Sequence, residues 1–156
     1  MAGFTLPRVS VPARLVLTEG EPYLGEVYVM ERVPQHSGPE TPLEMLNRPD
    51  GFFPFRAAGA AQVLLVTKAR TITLTVPRNV TGEDPARLSA AKLAALTVTL
   101  PGDNDITGWA TLELPEHHSR LLDYLNASPD PFFAVTTAEE VHFVNRAHVL
   151  YVRPED

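Results

Sequence analysis

The chain has 156 residues, no cysteine and a net charge of −6. That length can bury a proper core, and the missing thiols exclude disulfides, thiolate metal sites and cysteine nucleophiles. Residues 11–77 carry 6 Lys and Arg against 7 Asp and Glu, whereas residues 92–156 carry 4 against 10; nothing resembles the cationic cluster that a phosphate backbone needs, and the acidic half favours neutral or basic partners.

Met1 to Pro7 has neither the charged segment nor the long apolar run of a signal peptide, and no stretch approaches a membrane span. A cytoplasmic location without membrane insertion is therefore expected. Residues 14–18, 23–30, 62–66 and 71–76 are rich in Val, Leu, Ile, Thr and Tyr and are punctuated by Gly, Pro or charge, which predicts strands. Between the second and third, Thr41-Pro42-Leu43-Glu44 supplies an N-cap Thr, Pro at the first helical position and Glu three residues after the cap, a capping box. Asn47 is expected to close that helix in the left-handed conformation, and Pro49 forbids its continuation. A linker at 78–91 carries Asn79, Gly82, Asp84 and Pro85, and its Ala-rich end at 86–91 predicts a short helix. Strands at 96–100, 106–114, 141–144 and 149–152 follow, interrupted by a short helix between Ser119 and Asn126, with Pro129 beyond it.

The second half restates the first. Leu43-Glu44-Met45-Leu46-Asn47, then Phe52-Phe53, then residues 63–74 return as Leu122-Asp123-Tyr124-Leu125-Asn126, Phe132-Phe133 and residues 141–152. Val63, Val66, Lys68, Ala69, Ile72 and Leu74 match Val141, Val144, Arg146, Ala147, Leu150 and Val152, while Gly25 matches Gly108 and His36 matches His117. A repeat of this length fixes architecture before it says anything about chemistry. It predicts units at 11–77 and 92–155. The expected fold is mainly β: two tandem small barrels of about five strands, each with one short helix, packed as a pseudo-symmetric pair.

The block from Val141 to Val152 resembles the closing hairpin of Sm-like and SH3-like small β-barrels. More specifically, Leu122-Asp123-Tyr124-Leu125-Asn126, Phe132-Phe133 and Asn145-Arg146-Ala147-His148-Val149 are similar to a bacterial family of small domains of unknown function. Its members carry an Arg-x-x-Asp-x-Leu-Asn stretch, an aromatic strand and a closing Asn-Lys-x-His-Ile-like segment. The resemblance implies a tandem duplication of that domain and no assigned activity; an Sm-like relationship implies RNA binding, usually through a ring of subunits.

Three sets of residues are candidates for function. Successive side chains on a strand point to opposite faces, so Phe52 and Phe53 cannot share one barrel core, and neither can Phe132 and Phe133. One Phe of each pair must be covered by the short helix, by the sister unit or by a protein partner. Lys68, Arg70, Arg146 and His148 place basic groups at equivalent closing turns, where an Sm-like protein holds RNA. His36, His117 and His118 fall in equivalent loops, and their convergence would give an imidazole cluster suited to zinc or a similar metal. His142 alternates with Val141 and Phe143 and is expected to face solvent. No Gly-x-Ser-x-Gly elbow, His-Glu-x-x-His segment or phosphate loop occurs.

The reading that follows is a non-catalytic protein-interaction or scaffold module without a cofactor. A protein partner is expected, nucleic acid is not, and a homo-oligomer joined through barrel edge strands fits. Sm-like RNA binding and metal binding at the loop histidines are the alternatives.

Overall fold

The computed structural model describes residues 8–80, 92–112 and 121–155. In chain order these form β1 (Arg8–Leu17), β2 (Tyr23–Met30), α1 (Pro42–Asn47), β3 (Phe52–Ala57), β4 (Leu64–Thr67) and β5 (Thr71–Pro77). Then come β6 (Lys92–Leu100), β7 (Asn104–Leu112), α2 (Leu121–Ala127), β8 (Phe132–Thr136), β9 (Glu140–Asn145) and β10 (Tyr151–Pro154). Single 3-10 turns, Lys68–Arg70 and Arg146–His148, link β4 to β5 and β9 to β10. The helix expected over 86–91 and the cap expected at Ser119 lie outside the described residues. No helix among the described residues is long and apolar enough to cross a membrane.

All ten strands belong to one antiparallel sheet in the order β10-β6-β7-β8-β9-β5-β1-β2-β3-β4. Two separate barrels are thus corrected to one continuous sheet. Its halves nevertheless run in the same internal order: β5-β1-β2-β3-β4 in one, β10-β6-β7-β8-β9 in the other. The join is β5 with β9, where Leu74 faces Phe143 and Thr75 faces His142.

Two apolar cores form. The first gathers Leu15, Val27, Met45, Leu46, Phe53, Phe55, Leu74 and Val76 with Phe132, Val141 and Phe143 of the second half. The second holds Leu96, Val98, Leu100, Ala110, Leu112, Phe133, Val135 and Val144, with Ile72 of the first half. Because side chains alternate along β8 and β9, these strands feed both cores at once. That sharing joins the halves into one body and leaves no separate barrel wall between them.

The matched glycines do the same work in each half. A Cβ on Gly25 would strike the Arg56 carbonyl oxygen of β3, and one on Gly108 the Thr136 carbonyl oxygen of β8. Only glycine lets these strands approach so closely. α1 begins with the expected capping box: the Thr41 hydroxyl accepts from the Glu44 N–H (3.1 Å) and the Glu44 carboxylate from the Thr41 N–H (2.8 Å). It ends differently from expectation. Arg48 leaves the helix in extended conformation ahead of Pro49, so Asn47 stays helical and its side chain is released for another task.

Candidate functional site

Asn47 reaches across the join. Its Nδ2 donates to the Phe132 carbonyl (3.2 Å), and its Oδ1 accepts from the Phe132 N–H (2.9 Å). This amide clamp holds the start of β8 against α1, and Phe132 is buried at 2 % exposure within the first core. At the adjoining turns, Asn145 Nδ2 donates to the Lys68 and Thr71 carbonyls (3.2 and 3.0 Å), and His148 Nε2 meets the Ala69 carbonyl oxygen at 2.8 Å. A polar seam therefore flanks the apolar one.

Among the described residues, the two ends of the sheet leave the matching residues exposed. At the β4 end, Phe52 is 62 % exposed and Leu65 74 %, with Val63 and Leu64 also exposed. Their counterparts at the join, Phe132, Phe143 and Val141, are each buried. At the β10 end Leu150 and Tyr151 are 61 % and 58 % exposed, whereas their counterparts Ile72 and Thr73 are buried. On α2 Leu122 is exposed and no residue is fully buried, while α1 buries Met45 and Leu46. The sequence singles out Phe52; it misses Leu64, Leu65 and Tyr151. The available signal was the unbroken apolar run Val63-Leu64-Leu65-Val66, too continuous for a strand with only one buried face.

The basic residues have mostly structural partners. Lys68 is buried, and its Nζ donates to the carbonyls of Met45 (2.9 Å) and Arg48 (3.0 Å). Burial, reinforced by nearby Arg48, lowers its pKa from the ordinary 10.5. Arg146 serves α2 in the same way, through Nη1 to the Leu125 carbonyl and Nε to the Asp130 carbonyl, both 2.7 Å, with its guanidinium 5.7 Å from the centre of the Phe133 ring. Cations suit these places because the last carbonyls of a helix lack intrahelical donors and carry partial negative charge. Arg70 is exposed at its turn.

Among the described residues, His36, His142 and His148 each have a different partner. His36 lies at the surface with Nε2 2.7 Å from Glu44 Oε1 and Nδ1 2.9 Å from the Ser37 carbonyl. The Glu44 hydrogen bond raises its pKa above 6.5. Burial tends to raise Glu44, but its bonds from the Thr41 N–H and His36 prevail and lower it. Beside this pair a shallow pocket is lined by residues that include Met30, Glu40, Glu44 and Arg48. Glu40 is buried, pairs with Arg48 Nε at 3.1 Å and accepts from the Met30 N–H. His117 and His118 lie outside the described residues, and among the described residues no group of three or more His, Asp or Glu side chains is placed to hold a metal. His142 departs from the expected solvent-facing position: it is part-buried at the join, Nδ1 2.8 Å from the Thr75 hydroxyl, because β5 supplies a neighbour where a free strand face was expected.

Comparison with protein families, curated proteins and solved structures finds no match. Among the described residues β4 and β10 each pair with a strand on one side only, and large exposed apolar side chains flank both; a sheet edge of this kind offers backbone groups to an added strand.

Proposed function

We propose that the chain is a non-catalytic protein-interaction or scaffold module, built from two copies of one five-strand unit, that works through the apolar ends of its sheet. The observation that carries this reading is the contrast within matched pairs: Phe132 is 2 % exposed and Phe52 62 %. Burying a Phe contributes about 1.5–3 kcal/mol, so a surface that leaves Phe52 and Leu65 side by side in water gains from a cover. The RNA-binding alternative draws little from the basic turns, since Lys68 Nζ donates to the Met45 and Arg48 carbonyls and Arg146 Nε and Nη1 to those of Asp130 and Leu125.

A photo-crosslinking amino acid at position 65, in the cells that make the protein, tests the reading. Protein adducts are expected from position 65 and not from position 21, an exposed residue of the turn between β1 and β2. Equal or absent crosslinking at the two positions would refute an interaction surface at β4.

A further inference from the structure

Resting on the reading of the sheet end as the working surface, the geometry points to a second copy of this chain as its occupant. The copies join head to tail, with β4 of one adding to β10 of the next. The template is the β5–β9 join, which already brings the second half's penultimate strand against the first half's last strand within a single chain.

The backbone phases agree. The Arg78 N–H donates to the Glu139 carbonyl, so the even-numbered residues of β5 bond toward β9, and Leu74 exchanges bonds with Phe143. The Lys68 N–H donates to the Gly51 carbonyl, which turns the even residues of β4 toward β3 and leaves Leu65 pointing its N–H and C=O outward. The Glu155 N–H donates to the Ala95 carbonyl, which turns the odd residues of β10 toward β6 and leaves Val152 pointing outward. Leu65 matches Phe143 and Val152 matches Leu74. Pairing Leu65 with Val152 therefore repeats the central register.

The side chains around that pair also repeat the join. Phe52 and Leu65 of one copy take the places of Phe132 and Phe143 and meet the β10 and α2 end of the next. Asn126, exposed at the end of α2, matches Asn47 and is placed to clamp the Phe52 backbone as Asn47 clamps Phe132. Arg70 matches His148 and is placed to reach the Ala147 carbonyl as His148 reaches that of Ala69. Four substitutions make the new joint weaker than its template. Pro154 lacks the N–H that Val76 supplies, Thr67 stands where Asn145 makes two bonds, and Arg153 with Leu64 replaces the hydrogen-bonded Thr75 and His142. Association is accordingly reversible and depends on concentration.

Light scattering and sedimentation of the purified chain over a wide concentration range test this, together with Leu65→Lys and Tyr151→Lys, two exposed edge positions whose variants should melt like the parent when dilute. The parent is expected to grow from monomer into larger species, and each variant alone to remain monomeric. A mixture of the two should form a heterodimer of twice the chain mass, because one supplies an intact β10 and the other an intact β4. Asn126→Ala should raise the dissociation constant about tenfold through loss of the clamp. A parent that stays monomeric at every concentration overturns the inference, as does a Tyr151→Lys variant that still dimerises, since that would mean β4 pairs with β4. Crosslinks from position 65 to a different protein, with the purified chain monomeric, would leave the interaction surface standing and remove only its occupant.

Discussion

Lys68 and Arg146 stand at the same corner of each half, and both donate to backbone carbonyls at or just beyond the end of the neighbouring helix. Lys68→Met should therefore cost about 1–3 kcal/mol of stability in chemical denaturation, since it strips the Met45 and Arg48 carbonyls of a buried donor. His142 gives a pH dependence. Burial lowers its folded pKa below 6.5, so the unfolded chain binds the extra proton first and stability falls as the pH drops from 6.5 toward the folded value. His36 acts in the opposite sense: its pKa is raised, so its contribution is present below 6.5 and fades as the pH rises through the folded value. Melting curves should show the acid-side loss diminished in His142→Gln and enlarged in His36→Gln. The His36 contribution is small, because that pair lies in water. The sequence places both His142 and Lys68 on surface features, because a residue's own strand or turn says nothing about which distant carbonyl or hydroxyl will reach it.

At the level of elements, the capping box of α1, the turn after β4 and most strands are legible from local pattern alone. β1 is longer than its predicted span because Pro12 reads as a break. In the sheet it pairs with Glu26, and β5 joins β1 only from Arg14 onward. Even-numbered residues of β1 point toward β5, so the missing N–H of Pro12 faces the side on which no described strand pairs with it. The Phe pairs follow the alternation rule, with Phe53 in the first core and Phe132 and Phe133 divided between the two. Phe132→Ala should consequently cost about 3–5 kcal/mol, and Phe52→Ala in the dilute monomer less than about 0.5 kcal/mol. Equal losses at the two positions in urea titrations would mean that Phe52 is already covered within the chain. Gly25→Ala and Gly108→Ala should each destabilise by about 3 kcal/mol, because the obstructing atoms are backbone carbonyls that cannot swing away.

For the molecule as a whole, the likeness of the two halves is legible in sequence but their manner of joining is not. Local pattern predicts closed units; the pairing of β5 with β9 spans a long stretch of chain and is specified only by what each exposed strand finds beside it. The same physics leaves β4 and β10 as the two ends of the sheet among the described residues, one rich in Leu and Phe, the other carrying Leu150 and Tyr151. Residue-resolved hydrogen exchange at increasing protein concentration tests this most directly. The Leu65 and Val152 amides should gain protection together as concentration rises, while the Leu74 and Phe143 amides at the join stay protected throughout. Rapid exchange at Leu65 and Val152, unchanged at every concentration, would contradict the account.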